Sequence, residues 1–174
     1  MNLTGPAKRD SRELYFFLAA TILVMDQVTK LIVAKSIPLH GGVTVIPGFF
    51  RISHELNRGA AFSLLADSRS PWAPIGLIVF SLIIMTVITV ILVKAKRDFN
   101  RTNVALSLIL GGALGNFLDR LFLGSVVDFL AFRLGTYHWP DFNLADSAIV
   151  AGSGLLLLEV ILPAKETASV TQDA

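Results

Sequence analysis

Cysteine is missing from all 174 residues. Its absence excludes a thiol nucleophile, a thiolate metal site and any disulfide, so outer loops must be held by packing and hydrogen bonds. Charge is nearly as scarce. Asp, Glu, Lys and Arg make up 16% of the chain, against ~25% in a soluble domain. No HExxH occurs, which argues against a zinc peptidase. His40, His54 and His138 show no metal-ligand spacing, and no metal or other cofactor is expected. No internal repeat is visible. No basic stripe with interleaved aromatics is present either, so nucleic acid is not an expected partner.

What fills the chain is apolar. Hydrophobic residues make up 53% and mean hydropathy is +0.67. Ala73 to Val93 carries no charge and exceeds the ~20 residues of a membrane span. Thr102 to Leu118 is a second uncharged run, Leu14 to Ala34 a third with Asp26 and Lys30 set into it, and Leu144 to Leu162 a fourth. These predict an all-α membrane domain of four transmembrane helices, at 14–34, 73–93, 103–122 and 144–162, between a tail at 1–13 and a polar, disordered tail at 163–174. No small-x-small cleavage site follows the first run, so it reads as a retained span. Lys8, Arg9, Arg12, Lys94, Lys96, Arg97, Arg101 and Lys165 cluster on the two tails and the 94–103 loop. By the positive-inside rule these face the cytoplasm, and the basic bias suits an anionic inner leaflet.

The two remaining segments then lie outside. In 36–71, Phe50, Ile52, His54 and Leu56 alternate with Arg51, Ser53, Glu55 and Asn57, the period of a half-buried strand, with Pro47-Gly48 as a turn. This predicts a small sheet on the outer face. In 123–143, Phe129, Phe132, Tyr137, Trp139 and Phe142 suit the membrane interface.

The topology gathers the polar residues of the spans near the outer surface. Asn116, Asp119, Arg120 and Asp128 follow the third helix outward, Asp146 opens the fourth, and Asp26 lies roughly 12 Å below Ala34 at the end of the first. Asn57 can approach from the outer loop. Ionisable groups at membrane depth are by default a functional-site hypothesis. Each also has a structural explanation. Asp26 and Lys30 are spaced for an i,i+4 ion pair. Asp119-Arg120 reads as a helix-end pair. Asn143 to Asp146 has the spacing of a capping box. Arg133 is the obvious partner for Asp128, and Gly111 and Gly115 suit helix packing. A serine nucleophile fares poorly, because no histidine sits on a membrane helix and Ser153 lies far from the cluster. Two nearby carboxylates sharing a proton remain, one activating water and the other protonating the substrate. A proton-coupled carrier using Asp26, Lys30, Asp128 and Asp146 is the alternative, although no repeat supports it. A third is a scaffold with structural ion pairs.

Five stretches then carry a family resemblance. Met25-Asp-Gln-Val-Thr-Lys30, Asn57-Arg-Gly-Ala-Ala-Phe62, Gly111 to Arg120, Gly124-Ser-Val-Val-Asp-Phe129 and Phe142-Asn-Leu-Ala-Asp146 occur in the order, and at the places, of lipoprotein signal peptidase motifs. The chain resembles that family, signal peptidase II, over most of 14–162. The resemblance implies an aspartyl endopeptidase of the bacterial inner membrane. Its substrate would be a diacylglyceryl-modified prolipoprotein, cut just before the lipidated cysteine. Asp128 and Asp146 would be the catalytic pair. Asn57, with Gly59 in its motif, and Arg120 would hold substrate backbone. Asn116 and Asn143 would brace the site, with Asp26, Lys30 and Asp119 supporting it. An outer β-cradle at 36–71 and a lid helix around 129–139, within 123–143, would cover the substrate. The other partners implied are membrane lipids and globomycin-type cyclic peptides, with the enzyme a monomer.

Overall fold

A computed structural model describes residues 10–59, 72–96 and 99–162. The polar tail from 163, the first nine residues and the 60–71 part of the expected cradle, including Ala60 to Phe62 of its motif, lie outside the described residues. In chain order the elements are α1 (Ser11–Ser36), β1 (Gly42–Ile46), β2 (Phe50–Asn57), α2 (Ala73–Lys94), α3 (Arg101–Leu123), β3 (Val126–Leu134), β4 (Tyr137–His138) and α4 (Leu144–Ile161). All four helices are long and apolar enough to cross a membrane.

The helix ends follow local chemistry. Asp10 accepts a hydrogen bond from the Arg12 amide, so α1 starts at Ser11, earlier than the apolar run alone suggests. Asn100 caps α3 in the same way through the Thr102 amide, and its own amide donates to the buried Tyr15 hydroxyl at 2.7 Å, joining α3 to α1. Gly124 ends α3 at φ 71°, a left-handed conformation that glycine tolerates, and turns the chain into β3.

The bundle is apolar outside and polar at one end inside. Phe17, Phe80, Phe122 and Val160 are exposed, whereas Asp26, Lys30, Asn116, Asp119, Asp128 and Asn143 are buried. A soluble protein shows the reverse. Helix α3 packs against the other three helices. The glycine spacing serves that packing as expected. A Cβ on Gly111 would lie 2.6 Å from the Ala19 carbonyl oxygen of α1, and one on Gly112 would run into the Ala145 carbonyl oxygen of α4.

The sheet has the order β1-β2-β3-β4, antiparallel throughout. The expected strand over Phe50 to Asn57 and the Pro47-Gly48 turn are present, with Gly48 at φ 75°. The lid helix expected around 129–139 is not. Those residues form β3 and β4, which turn at Gly135 (φ 62°). The β-branched and aromatic residues Val126, Val127, Phe129 and Phe132 suit a strand, and β2 offers them a ladder that sequence alone does not reveal. The sheet is thus built from both segments, 36–71 and 123–143, that were expected to lie outside. Phe132 stacks on Phe50 at 4.7 Å and on Phe142 at 5.8 Å.

The β2–β3 ladder contains a bulge. Ile52 pairs with Leu130, yet Glu55 pairs with Asp128, so Ser53 and His54 together face Phe129. One extra residue exchanges the two faces of the strand beyond it. Without it Leu56 would share a face with Asp128. With it Asn57 does, and Leu56 is 42% exposed.

Candidate active site

The buried polar groups form one network around Lys30. Its Nζ reaches Asp26 Oδ2 at 2.8 Å, Asp119 Oδ2 at 2.9 Å and Asn116 Oδ1 at 3.0 Å. An ammonium has three donors, and all three are used. The Asp26–Lys30 pair is therefore the expected one. Asp119 departs from expectation, since it pairs with Lys30 rather than with Arg120. Neighbouring helical residues point in different directions, while Lys30 lies across the α1–α3 interface. Asp26 Oδ1 also accepts from the Ala145 amide at 2.9 Å, and Asp119 Oδ2 from the Val127 amide at 3.1 Å. Two carboxylates of the bundle thus hold the first turn of α4 and the start of β3.

Those are the elements that carry the two remaining aspartates. Asp128, on β3, accepts Asn143 Nδ2 on Oδ1 at 2.7 Å and Asn57 Nδ2 on Oδ2 at 3.0 Å. Arg133 is not its partner. Five residues along a strand put the two on opposite faces, and Arg133 Nε instead donates to the Gly135 carbonyl. Asp146, on α4, accepts Asn116 Nδ2 on Oδ1 at 2.7 Å. Its Oδ2 faces the Asn143 amide at 3.4 Å, and its own amide donates to Asn143 Oδ1, completing the expected capping box. Asn143 is therefore the joint. Its side chain caps the helix bearing Asp146 and donates to Asp128. Burial, and then the charge of Asp146, push the Asp128 carboxyl up to about 7, against the hydrogen bonds from Asn57 and Asn143 and the charge of Lys30.

Arg120 turns its guanidinium to backbone, with Nη2 on the Gly59 carbonyl at 2.9 Å and Nη1 on the Asn116 carbonyl at 3.3 Å. Its Nε is buried with no hydrogen-bond partner among the described residues. Gly59 is itself fixed, its amide donating to Asn57 Oδ1 at 2.8 Å. Beside Asp146 an apolar groove of ≈ 610 Å³ opens, walled by Phe49, Phe132, Trp139, Phe142 and Val150. Among the described residues no three His, Cys, Asp or Glu side chains group as a metal site would require.

All ten residues singled out in the sequence lie in this one region. Sequence reasoning missed Gln27, whose amide donates to Asp119 Oδ1 at 2.9 Å and to Asp26 Oδ2 at 3.2 Å. It lies inside the Met25 to Lys30 stretch, where its position beside Asp26 was the available signal.

The family described as Signal peptidase (SPase) II matches residues 18–162. The chain belongs to that family. Its members are proteases acting on prolipoprotein signal peptides. A lipoprotein signal peptidase of Solibacter usitatus (strain Ellin6076) is 43% identical over 162 residues, 93% of this chain and 99% of the relative. One of Geobacter sulfurreducens (strain ATCC 51573 / DSM 12127 / PCA) is 45% identical over 141 residues, 80% of this chain and 86% of the relative. A solved bacterial membrane enzyme, determined by the in meso method at 2.3 Å, superposes with a TM-score of 0.78 at 29% identity. It covers 98% of this chain and 99% of its own. Four spans and these membrane-enzyme neighbours make this family member a multi-pass membrane protein.

Proposed function

We propose that this peptidase cuts bacterial prolipoproteins just before a cysteine carrying a diacylglyceryl group, with Asp128 and Asp146 as an aspartyl dyad. The observation that carries the proposal is Asn143, which binds Asp128 through its side chain and caps the helix of Asp146. The two carboxylates therefore come to one site from a strand and from a membrane helix. Near neutral pH such a pair shares one proton, as the position of Asp128 at about 7 suits. The ionised member takes a proton from water, and the resulting hydroxide attacks the scissile carbonyl. The protonated member donates its proton to the carbonyl oxygen; as the tetrahedral intermediate collapses, that proton returns to the pair and the one taken from water passes to the leaving amine. Asn57, Asn116 and Asn143 hold both carboxylates in place throughout.

Arg120 suits a substrate carbonyl, because two of its nitrogens are fixed on backbone and its buried Nε lacks an acceptor among the described residues. The apolar groove beside Asp146 suits the acyl chains or the signal-peptide side chains. A globomycin-type cyclic peptide would compete there. The lipid anchors the substrate in the bilayer, since each buried CH₂ contributes ~0.8 kcal/mol, so the enzyme meets it laterally, as a monomer. The basic bias of the tails and the 94–103 loop supports a site near the outer face of the inner membrane.

The test is a gel-shift assay in detergent–lipid micelles with a lipidated prolipoprotein. Wild type should shorten the substrate, and folded Asp128→Asn and Asp146→Asn should each leave it intact. Cleavage by both variants would remove the dyad. Failure of the wild type would remove the proposed substrate.

A further inference from the structure

The segment that carries Asn143 has a second fastening, through a different aspartate. Asp141 Oδ2 accepts a hydrogen bond from the Ser53 hydroxyl, a contact spanning 88 residues of sequence. Ser53 is 2% exposed. It is one of the two residues of the β2 bulge, the device that puts Asn57 on the face of Asp128. Asp141 stands two residues before Asn143. Between them Phe142 is fastened by backbone hydrogen bonds as well as by its ring. Its carbonyl accepts from the amides of Phe129 and Leu130, and its amide donates to the Leu130 carbonyl at 3.2 Å. One side-chain contact therefore joins the bulge that aims Asn57 to the segment that aims Asn143. Those two asparagines each hold a different oxygen of Asp128.

We infer that Ser53 and Asp141 form a strap that positions Asp128 for catalysis, with Asp141 a positioning residue rather than a catalytic one. This rests on the peptidase reading above. The strap lies on the polar side of the sheet, in a cavity of ≈ 450 Å³ that also exposes Arg51, Glu55 and His138. There Asp141 is held above the usual carboxylate range by burial and by Glu55, against the Ser53 bond, Arg51 and His138. Protonated or ionised, a carboxyl can still accept from Ser53, so the strap does not require one charge state.

The strap acts at a distance on a titration. Both asparagine bonds favour the ionised form of Asp128. Loosening them raises the pH at which Asp128 loses its proton. The groups that otherwise bear on that carboxyl stay in place: Asp146 on α4, Lys30 on α1, Asp119 and Arg120 on α3, and Glu55 across the ladder on β2.

The experiment compares Ser53→Ala, Asp141→Ala and Asp141→Asn with wild type for kcat, KM and the pH profile of kcat. Ser53→Ala and Asp141→Ala should lower kcat about tenfold, as for a slightly misplaced catalytic group. KM should stay within about twofold, and the alkaline limb should move to higher pH. The double variant should be no worse than either single one, since both remove the same contact. Asp141→Asn keeps an acceptor for Ser53 and should restore both kcat and the limb. A readout independent of cleavage is amide hydrogen exchange of Phe129, Leu130 and Phe142, which should quicken in the two alanine variants and not in Asp141→Asn. Three results would each overturn the strap: wild-type kcat in Asp141→Ala, a loss in Asp141→Asn equal to that in Asp141→Ala, or lowered kcat with an unmoved limb. Failure of wild type to cleave would instead overturn the peptidase reading. The exchange rates would then still judge the strap.

Discussion

Because Asp128 keeps its proton up to about 7 when folded, and an ordinary carboxyl loses it near 4, folding and protonation are linked. Between those two values the native state binds the proton that the unfolded chain has released. Stability attributable to this residue therefore falls as pH rises through that window, and is lowest above 7. Wild type should melt at a lower temperature at pH 8 than at pH 5. Asp128→Asn should flatten that slope, so that its gain in melting temperature is larger at pH 8. A variant that melts like wild type at both values would contradict the shift. The same proton sets an expected alkaline limb of kcat/KM at an apparent value of about 7, belonging to the pair rather than to one residue. Lys30 offers the opposite case. Replacing it with Met leaves Asp26 and Asp119 buried without their cation, a loss of about 3–5 kcal/mol. Urea or thermal unfolding in micelles should show it as a large drop in stability.

At the scale of elements, the helices were legible because their signal is local: an uncharged run of sufficient length predicts a span whatever it packs against. The capping box of Asn143 and Asp146 was equally local. Strand β3 was not. Val126 to Leu134 has the composition of either an interfacial helix or a strand, and only the ladder with β2, 69 to 82 residues away in the chain, decides between them. The bulge at Ser53 and His54 was hidden for the same reason, and with it the face on which Asn57 lies. The motif stretches gave the residues that the fold brings together but not their pairings, so Asp119 and Asp128 were given neighbours in sequence rather than partners across elements. The close approach of α3 to α4 yields a clean comparison. Gly112→Ala would drive a methyl into the Ala145 carbonyl and lift the start of α4 away from Asn116, whereas a Cβ on Gly76 meets nothing within 4 Å. Gly112→Ala should lower both melting temperature and kcat. Gly76→Ala should leave both unchanged or raise stability slightly through helix propensity.

The described residues form a bundle whose buried polar groups gather at one end and whose sides are apolar. Its orientation can be read directly, because a chain without cysteine accepts one as a clean label. In intact inner-membrane vesicles of known sidedness, a membrane-impermeant maleimide should reach Gly48→Cys from the outer side and Lys96→Cys only from the cytoplasmic side. The reverse pattern would invert the topology. The two carboxylates of the proposed dyad belong to different elements: Asp146 rides on α4, Asp128 on β3, and Asn143 joins them. Helix α4 has 18 residues, roughly 27 Å of length, close to the ~30 Å of a typical hydrocarbon core. A lipid layer much thicker or thinner would tilt the helix or press on the sheet, and either would pull on that joint. The enzyme's rate should then peak at one acyl-chain length of the surrounding lipid, making the thickness of the membrane itself a setting of the active site.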